Sequence, residues 1–472
     1  MSFVDRRLIN RDYARLWYGQ AVSTVGDMIF NTTLVLWVAT VLGKGKTWAP
    51  FAVSGIAISV GVAVMAVGPL AGVFVDRWNR GTTMLRTETV RAVMVGALAV
   101  IAFLPTHSLP VWLWLVLIYA VVFGVNAAEQ FFNPARFVTI GDVVTGDVDR
   151  TRAFGISQAT TAVAAIIGPP IAAPLLFTVG LQWALVANAA SYVVSYAAIR
   201  SLHLDPAPPE HTPGSSVRRE FVAGLRMFAA NRYLVAILTL AVTAQLGTGA
   251  LNTLDVFFLT DNLHSNSHLF GFIATAGGAG AIIGALVAGS VVARIGARST
   301  TWIMVIVAGI VVVVFARQTI FIVALVAFFF VTLPATVLNT SLNPMLLAAT
   351  PREYLGRMMA VFNPINTAAS MLSVVVSGWL ASTVLLHFHA NIAGVHIGRI
   401  DTIFTIAGLL IVAAGVYAAF SLPKAARPTE TTGGHAVAAE QPAEVIEFGP
   451  AAVPPRQPTE TVVDPLTDPA EA

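Results

Sequence analysis

Apolar runs broken by short groups of charges, prolines or glycines occupy the chain from about residue 13 to residue 421. A helix that crosses hydrocarbon needs about 20 mostly apolar residues. Cutting at the interruptions predicts twelve such helices, at about 13–42, 48–74, 83–104, 111–134, 151–177, 181–203, 233–260, 267–293, 299–317, 319–347, 354–386 and 397–421. The ninth and tenth are separated only by Arg317-Gln318. The pattern predicts an all-α membrane protein with twelve transmembrane helices. The first run exceeds a signal-peptide core and ends without a small-residue cleavage site, so it is expected to stay as the first membrane helix.

The basic residues orient the predicted spans. With the N-terminus, the even-to-odd loops and the tail on one face, that face holds 22 of the 27 Lys and Arg. The other face holds four, Lys44, Lys46, Arg317 and Arg399, and Arg91 lies within a span. Short cytoplasmic loops carry the excess of Lys and Arg. A multi-pass protein with both termini cytoplasmic is therefore expected, and a plasma-membrane location with it. Two segments read as lying outside the membrane. Residues 204–232 form a Pro-rich linker and an amphipathic stretch, with Phe221, Leu225 and Phe228 beside Arg218, Arg219 and Arg226. Residues 423–472 are rich in Pro, Ala, Glu and Thr, with 8 acids against 3 bases, and lack the apolar content to fold alone. The expected organisation is a six-helix bundle at 1–203, the linker at 204–232, a second bundle at 233–422 and a disordered cytoplasmic tail at 423–472.

Composition narrows the function. Only 11% of residues are charged and 56% are hydrophobic, against about 25% charged in soluble domains. Soluble folds, coiled coils and nucleic-acid binding fall on these numbers. The absence of cysteine removes disulfides, thiol chemistry and thiolate metal sites. No nucleophile–base pair or phosphate loop appears, so an enzyme is not expected. The His residues show no ligand spacing, and neither metal nor cofactor is expected beyond a proton gradient.

The chain also repeats. Asn31-Thr32 in span 1 has a counterpart in Asn252-Thr253 in span 7, Ala71-Gly72 in Ala288-Gly289, and Asn133-Pro134 in Asn343-Pro344. Six spans plus six in parallel is a plan of transporters whose halves rock about a central site. Polar residues at helical spacing mark spans 1, 4, 7 and 10. Gln20, Asn31, Asn126, Gln245, Asn252 and Asn339, together with Asn363 in span 11, are the expected lining of a shared cavity. Asp27, Glu129 and Asp255 are the candidate proton-coupling groups. A carboxylate in the middle of a membrane costs about 2.5–3.5 kcal/mol on insertion scales, so it needs a partner or a purpose. Arg91 is expected to pair locally with Glu88, three residues away, which leaves Asp27 without a basic partner. The competing reading for Ser, Thr and Asn is hydrogen bonding between helices.

Gly72-Val73-Phe74-Val75-Asp76-Arg77-Trp78-Asn79-Arg80 resembles the loop 2–3 motif of the major facilitator superfamily. Gly155, Gly168 and Pro169 in span 5, with Ala164, Ala172 and Ala173, are similar to the antiporter motif of its drug:proton exchangers. Gly19-Gln20-x-x-Ser23-x-x-Gly26-Asp27 is similar to the first helix of the macrolide-efflux-like branch. The resemblance covers about residues 5–422. It implies the major facilitator fold of two six-helix pseudo-repeats, a gating role for Gly72, Asp76, Arg77 and Arg80, and a helix-5 seal against proton leak. It also implies a monomeric exporter of small hydrophobic substrates in the lipid bilayer. The span 4 arginine of other drug:proton antiporters has no counterpart in Leu115–Gly124, which shifts weight to Asp27 and Glu129. A carrier of a lysophospholipid-like lipid or of a siderophore is the alternative, and a non-transporting receptor or scaffold the third reading.

Overall fold

A computed structural model describes residues 8–75, 78–202, 225–226, 232–348, 355–388, 390–392 and 395–422. Apart from 225–226 and 232, the predicted linker lies outside the described residues, as does the predicted tail. Twelve long helices lie among the described residues. They are α1 (Arg11–Trp37), α2 (Ala49–Val75), α3 (Arg80–Ile101), α4 (Val111–Val143), α5 (Asp147–Pro174) and α6 (Leu181–Arg200). They continue as α7 (Arg232–Phe257), α8 (Phe270–Ile295), α9 (Ala297–Ala316), α10 (Phe321–Ala348), α11 (Leu355–Trp379) and α12 (Arg399–Ser421). A short antiparallel hairpin, β1 (Ala390–Ile392) with β2 (Val395–Ile397), joins the last two.

Ten of these helices are long and apolar enough to cross a membrane. The other two are α3 and α6, and the reason is local. Arg80, Arg86, Glu88 and Arg91 interrupt α3, while Asn188, Ser191, Tyr192 and Ser195 line one face of α6. These two helices pack against each other. Their polar residues therefore meet inside the protein, where a partner, not water, must satisfy them.

Local chemistry sets the helix ends. The Asn10 side chain accepts from the Tyr13 N–H at 2.8 Å and opens α1. Asn79 does the same for Thr82 at 3.0 Å and opens α3. At α12 the Asp401 carboxylate accepts the Gly398 N–H at 2.8 Å. Such caps satisfy amides that the first helical turn leaves unpaired. Pro69, Pro134, Pro169, Pro170, Pro174 and Pro364 lie inside helices. Membrane helices tolerate this because neighbouring helices and local adjustments satisfy the freed carbonyls. Four helices close in a five-residue π turn: α1 at Val38–Leu42, α5 at Leu175–Val179, α7 at Phe258–Asn262 and α11 at Leu380–Val384.

Among α1–α6 the extensive pairings are α1 with α5 and α6, α2 with α4, and α3 with α4 and α6. Among α7–α12 they are α7 with α11 and α12, α8 with α10, and α9 with α10 and α12. Small residues allow the close approaches. A Cβ on Gly26 would stand 2.5 Å from Ser191 Oγ, which only glycine avoids at this α1–α6 crossing. The two sets meet through α2 with α11 and α5 with α8. Ser54 Oγ donates to the Val374 carbonyl at 2.9 Å, and the Phe51 N–H donates to Ser382 Oγ at 3.1 Å. The Phe177 ring stacks on His268 at 4.2 Å. All three contacts lie at the end of the bundle where α2 begins and α5 ends.

Candidate functional site

The densest polar cluster sits in the first six helices, between α1, α3, α4 and α6. Asp27 reaches it from the middle of α1, Glu88 and Arg91 from one face of α3, and Tyr192 and Ser195 from α6. Arg91 Nη2 donates to Asp27 Oδ2 at 2.7 Å. The other Asp27 oxygen accepts a hydrogen bond from the Tyr192 hydroxyl, which in turn accepts from Asn188 Nδ2 at 3.2 Å. The guanidinium lies over the Tyr192 ring, 4.3 Å from its centroid, so the same tyrosine serves both ions. A second branch continues from Glu88. Its Oε1 accepts from Ser195 Oγ at 2.6 Å, Ser195 accepts from Gln20 Nε2 at 2.8 Å, and Gln20 Oε1 accepts from Arg136 at 3.3 Å.

Burial separates the two acids. The Asp27 side chain keeps 21% of its surface, whereas Arg91 keeps 3% and Glu88 none. Removing one partner of a buried ion pair costs about 3–5 kcal/mol, because the other charge is left without compensation. The pairing corrects the expectation that Arg91 is held by Glu88 alone. Helical spacing puts the two on one face, but the Arg91–Glu88 separation is 3.8 Å, and the short contact is to Asp27, 64 positions earlier. Asp27 is thus a paired carboxylate.

The other predicted residues are distributed differently. Glu129 accepts from Asn133 Nδ2 at 3.2 Å on its own helix. It also lies within electrostatic reach of Asp27, Arg91 and Arg136. Asp255 is in α7, in the other half of the bundle, and its Oδ1 is buried without a hydrogen-bond partner. Gln20 is a buried link in the cluster, not an open cavity wall. Asn126 donates to the Val122 carbonyl of its own helix at 2.8 Å. Asn31 and Gln245 are half-buried, and Asn252, Asn339 and Asn363 are exposed. Among the described residues no hydrogen bond joins any two of these seven predicted cavity positions.

In the loop 2–3 motif, Gly72 ends within α2, and Asp76 and Arg77 lie outside the described residues. Arg80 opens α3 and pairs with Asp142 at 2.6 Å. Both partners are partly exposed, so the bridge contributes no more than about 1 kcal/mol. In α5, Gly168 fits against Met28 of α1, where a Cβ would stand 2.4 Å from the methionine Cβ. Pro169 is buried, and its carbonyl faces Gly271 of α8. Gly155 is exposed with open space around it, so it makes no tight helix contact, against the expectation for the first glycine of that motif.

Sequence reading missed the α6 contribution. Asn188, Ser191, Tyr192 and Ser195 recur at helical spacing, the same signal that marked α1 and α4. Arg136 falls just beyond the predicted fourth span, 111–134. The structure carries α4 on to Val143 and brings Arg136 inside.

The chain matches the family model described as transmembrane secretion effector over residues 7–424, and it belongs to that family, within the efflux branch of the major facilitator superfamily. It is 25% identical over 228 residues to macrolide efflux protein A of Streptococcus pyogenes, covering 47% of this chain and 52% of that protein. It is 25% identical over 239 residues to the enterobactin exporter EntS of Shigella flexneri, covering 50% and 53%. The chain thus spans about half the length of the relatives it matches. Its fold is similar to that of a bacterial homologue of the iron transporter ferroportin in an inward-facing state. The TM-score is 0.67 at 12% identity, over 90% of this chain and all of the other.

Proposed function

We propose that this chain is a secondary active exporter of hydrophobic or amphipathic compounds, working as a monomer in the plasma membrane by alternating access in exchange for protons. All twelve helices span, in this reading, with both termini cytoplasmic and two six-helix pseudo-repeats at 1–203 and 233–422. Residues 204–232 connect the two in sequence. Several observations support the two-halved plan. Adding six to each helix number turns the five pairings of α1–α6 into the five of α7–α12. The same shift carries the π turns of α1 and α5 onto those of α7 and α11. The polar faces of α3 and α6 explain why they are less apolar than the other ten. With this orientation the contacts between halves gather at the outer end, which supports an inward-facing state.

The observation that carries proton exchange is the Asp27–Arg91 pair. Asp27 is an acid at mid-helix, partly open to its surroundings, tied to a sealed arginine. Protonating Asp27 forms an O–H bond on its carboxylate and removes the negative charge that holds Arg91. The macrolide and siderophore exporters among the relatives support an efflux direction and a bulky organic cargo. The second reading, export of a siderophore, rests on the enterobactin relative.

Proteoliposomes with a lumenal pH dye test this. On addition of a macrolide, a cationic dye or a catecholate siderophore, we expect lumenal pH to change with one class. We expect Asp27→Asn to abolish the change while substrate binding remains. Proton movement of wild-type size in Asp27→Asn would remove this acid from the mechanism.

A further inference from the structure

Arg91 is shared by two acids, and the structure shows only one of them satisfied by it. Glu88 Oε2 is buried and accepts no hydrogen bond, although Arg91 Nη1 stands 3.8 Å away. Arg91 Nε is buried and finds no acceptor. A buried oxygen and a buried N–H left without partners on oppositely charged groups are each costly. Nη1 of the same guanidinium stands 3.8 Å from Glu88 Oε2, about 1 Å beyond an ordinary hydrogen bond.

The surrounding charges sharpen the point. Asp27 faces the cluster from α1, Glu88 and Arg91 from α3, Glu129 and Arg136 from α4, and the Tyr192 hydroxyl from α6. With all of them in their usual forms in water, three acids meet two arginines, and the group carries one negative charge in excess. One proton brings it to neutrality. Of the three acids, Asp27 is the one that is both partly open and bound to an arginine; Glu88 is sealed.

We propose that Arg91 is a two-position switch and that Glu88 is its second seat. While Asp27 is ionised, Arg91 Nη2 holds it, as in this structure. When Asp27 takes a proton the attraction is lost, and the guanidinium turns over the Tyr192 ring to bring Nη1 onto Glu88 Oε2. Arg91 keeps its own protons throughout, and the only proton transferred is the one that arrives on Asp27. The buried arginine is thereby never left without a counter-ion, an arrangement that a single acid cannot provide. The movement releases α1 from α3 and leaves both helices packed on α6. Glu88 is thus a positioning residue that acts through Arg91. This inference rests on the proton-coupled reading above, and names what makes the protonated state of Asp27 accessible.

The first measurement needs no substrate. Infrared difference spectra between acidic and neutral pH are recorded for the full-length protein in liposomes, unlabelled and with 15N-labelled arginine. Wild type is expected to show a protonated-carboxyl band that Asp27→Asn removes, and with it an arginine band shift that Arg91→Lys removes. Glu88→Gln is expected to keep the carboxyl band but lose the arginine shift, and Glu88→Asp to restore part of it. In transport, Glu88→Gln should depress pH-gradient-driven movement of a radiolabelled macrolide or catecholate siderophore, whichever wild type carries, about tenfold more than its counterflow, the size of a 1.4 kcal/mol imbalance. An arginine shift undiminished in Glu88→Gln overturns the second seat alone. Equal losses in both transport modes overturn it too, because they mark a merely structural acid. A wild type with no carboxyl band between pH 5 and 9 overturns the antiport reading together with it.

Discussion

The interiors of the two halves differ more than their packing does. In α1–α6 the crossing of α1, α3 and α6 encloses Asp27, Glu88, Arg91 and Tyr192. In α7–α12 the ends of α7 and α9 meet the start of α12 through an aromatic cluster: Phe258, Phe315 and Phe404 pack with ring centroids 4.6, 5.3 and 5.9 Å apart. Beside it lie the Asn262–Asp401 and Arg317–Thr405 hydrogen bonds. There Gly309 and Gly408 bring α9 and α12 so close that a Cβ on Gly309 would lie 2.7 Å from the Gly408 carbonyl. The α1–α3–α6 crossing is held by a network of ions, and the aromatic cluster by dispersion and shape, with Asp255 of α7 a buried acid outside it. The same helix arrangement thus carries a linked ion network in one half and an aromatic cluster with a single isolated acid in the other.

Three substitutions break or sharpen this contrast. Arg91→Ala has the largest expected effect, about 3–5 kcal/mol, because it leaves Asp27 and Glu88 buried together without a cation. A lower melting temperature in detergent and loss of transport would both follow, and unchanged stability would mean the cluster is hydrated. Phe404→Ala opens a cavity worth up to about 3–5 kcal/mol in the aromatic cluster of the second half. Melting should fall while the pH profile of transport keeps its midpoint, and a displaced midpoint would show that this half also senses protons. Tyr192→Phe is the smallest change, about 1–2 kcal/mol, since it keeps the ring under Arg91 and removes the hydroxyl that donates to Asp27. Because that bond favours ionised Asp27, its loss should move the protonation midpoint of transport to higher pH. A midpoint that stays or falls would count against the tyrosine as a donor to the ionised acid.

Much of this was legible in the chain before any coordinates. The apolar runs located the helices because hydrocarbon admits only backbone whose hydrogen bonds are internally satisfied. Asp27 stood out because charge is rare in such runs. Arg91 was visible, but its partner was not. Spacing along one helix favoured Glu88, whereas the shorter bond comes from a different helix. The polar face of α6 was equally visible and passed unread, since serine, asparagine and tyrosine in a span have ordinary packing roles.

By itself, then, the order of residues determined where the apolar helices run, the uneven spread of basic residues along the chain and the presence of isolated acids, but not that α4 continues to Val143. All of these follow from local hydrophobicity, which each segment carries with it. Which acid meets Arg91, that Glu88 keeps an oxygen unpaired within reach, and that Gly155 packs against nothing were decided only in the tertiary structure. Those outcomes depend on the rotation and depth of one helix against another, and a turn of a few tens of degrees exchanges one partner for the next.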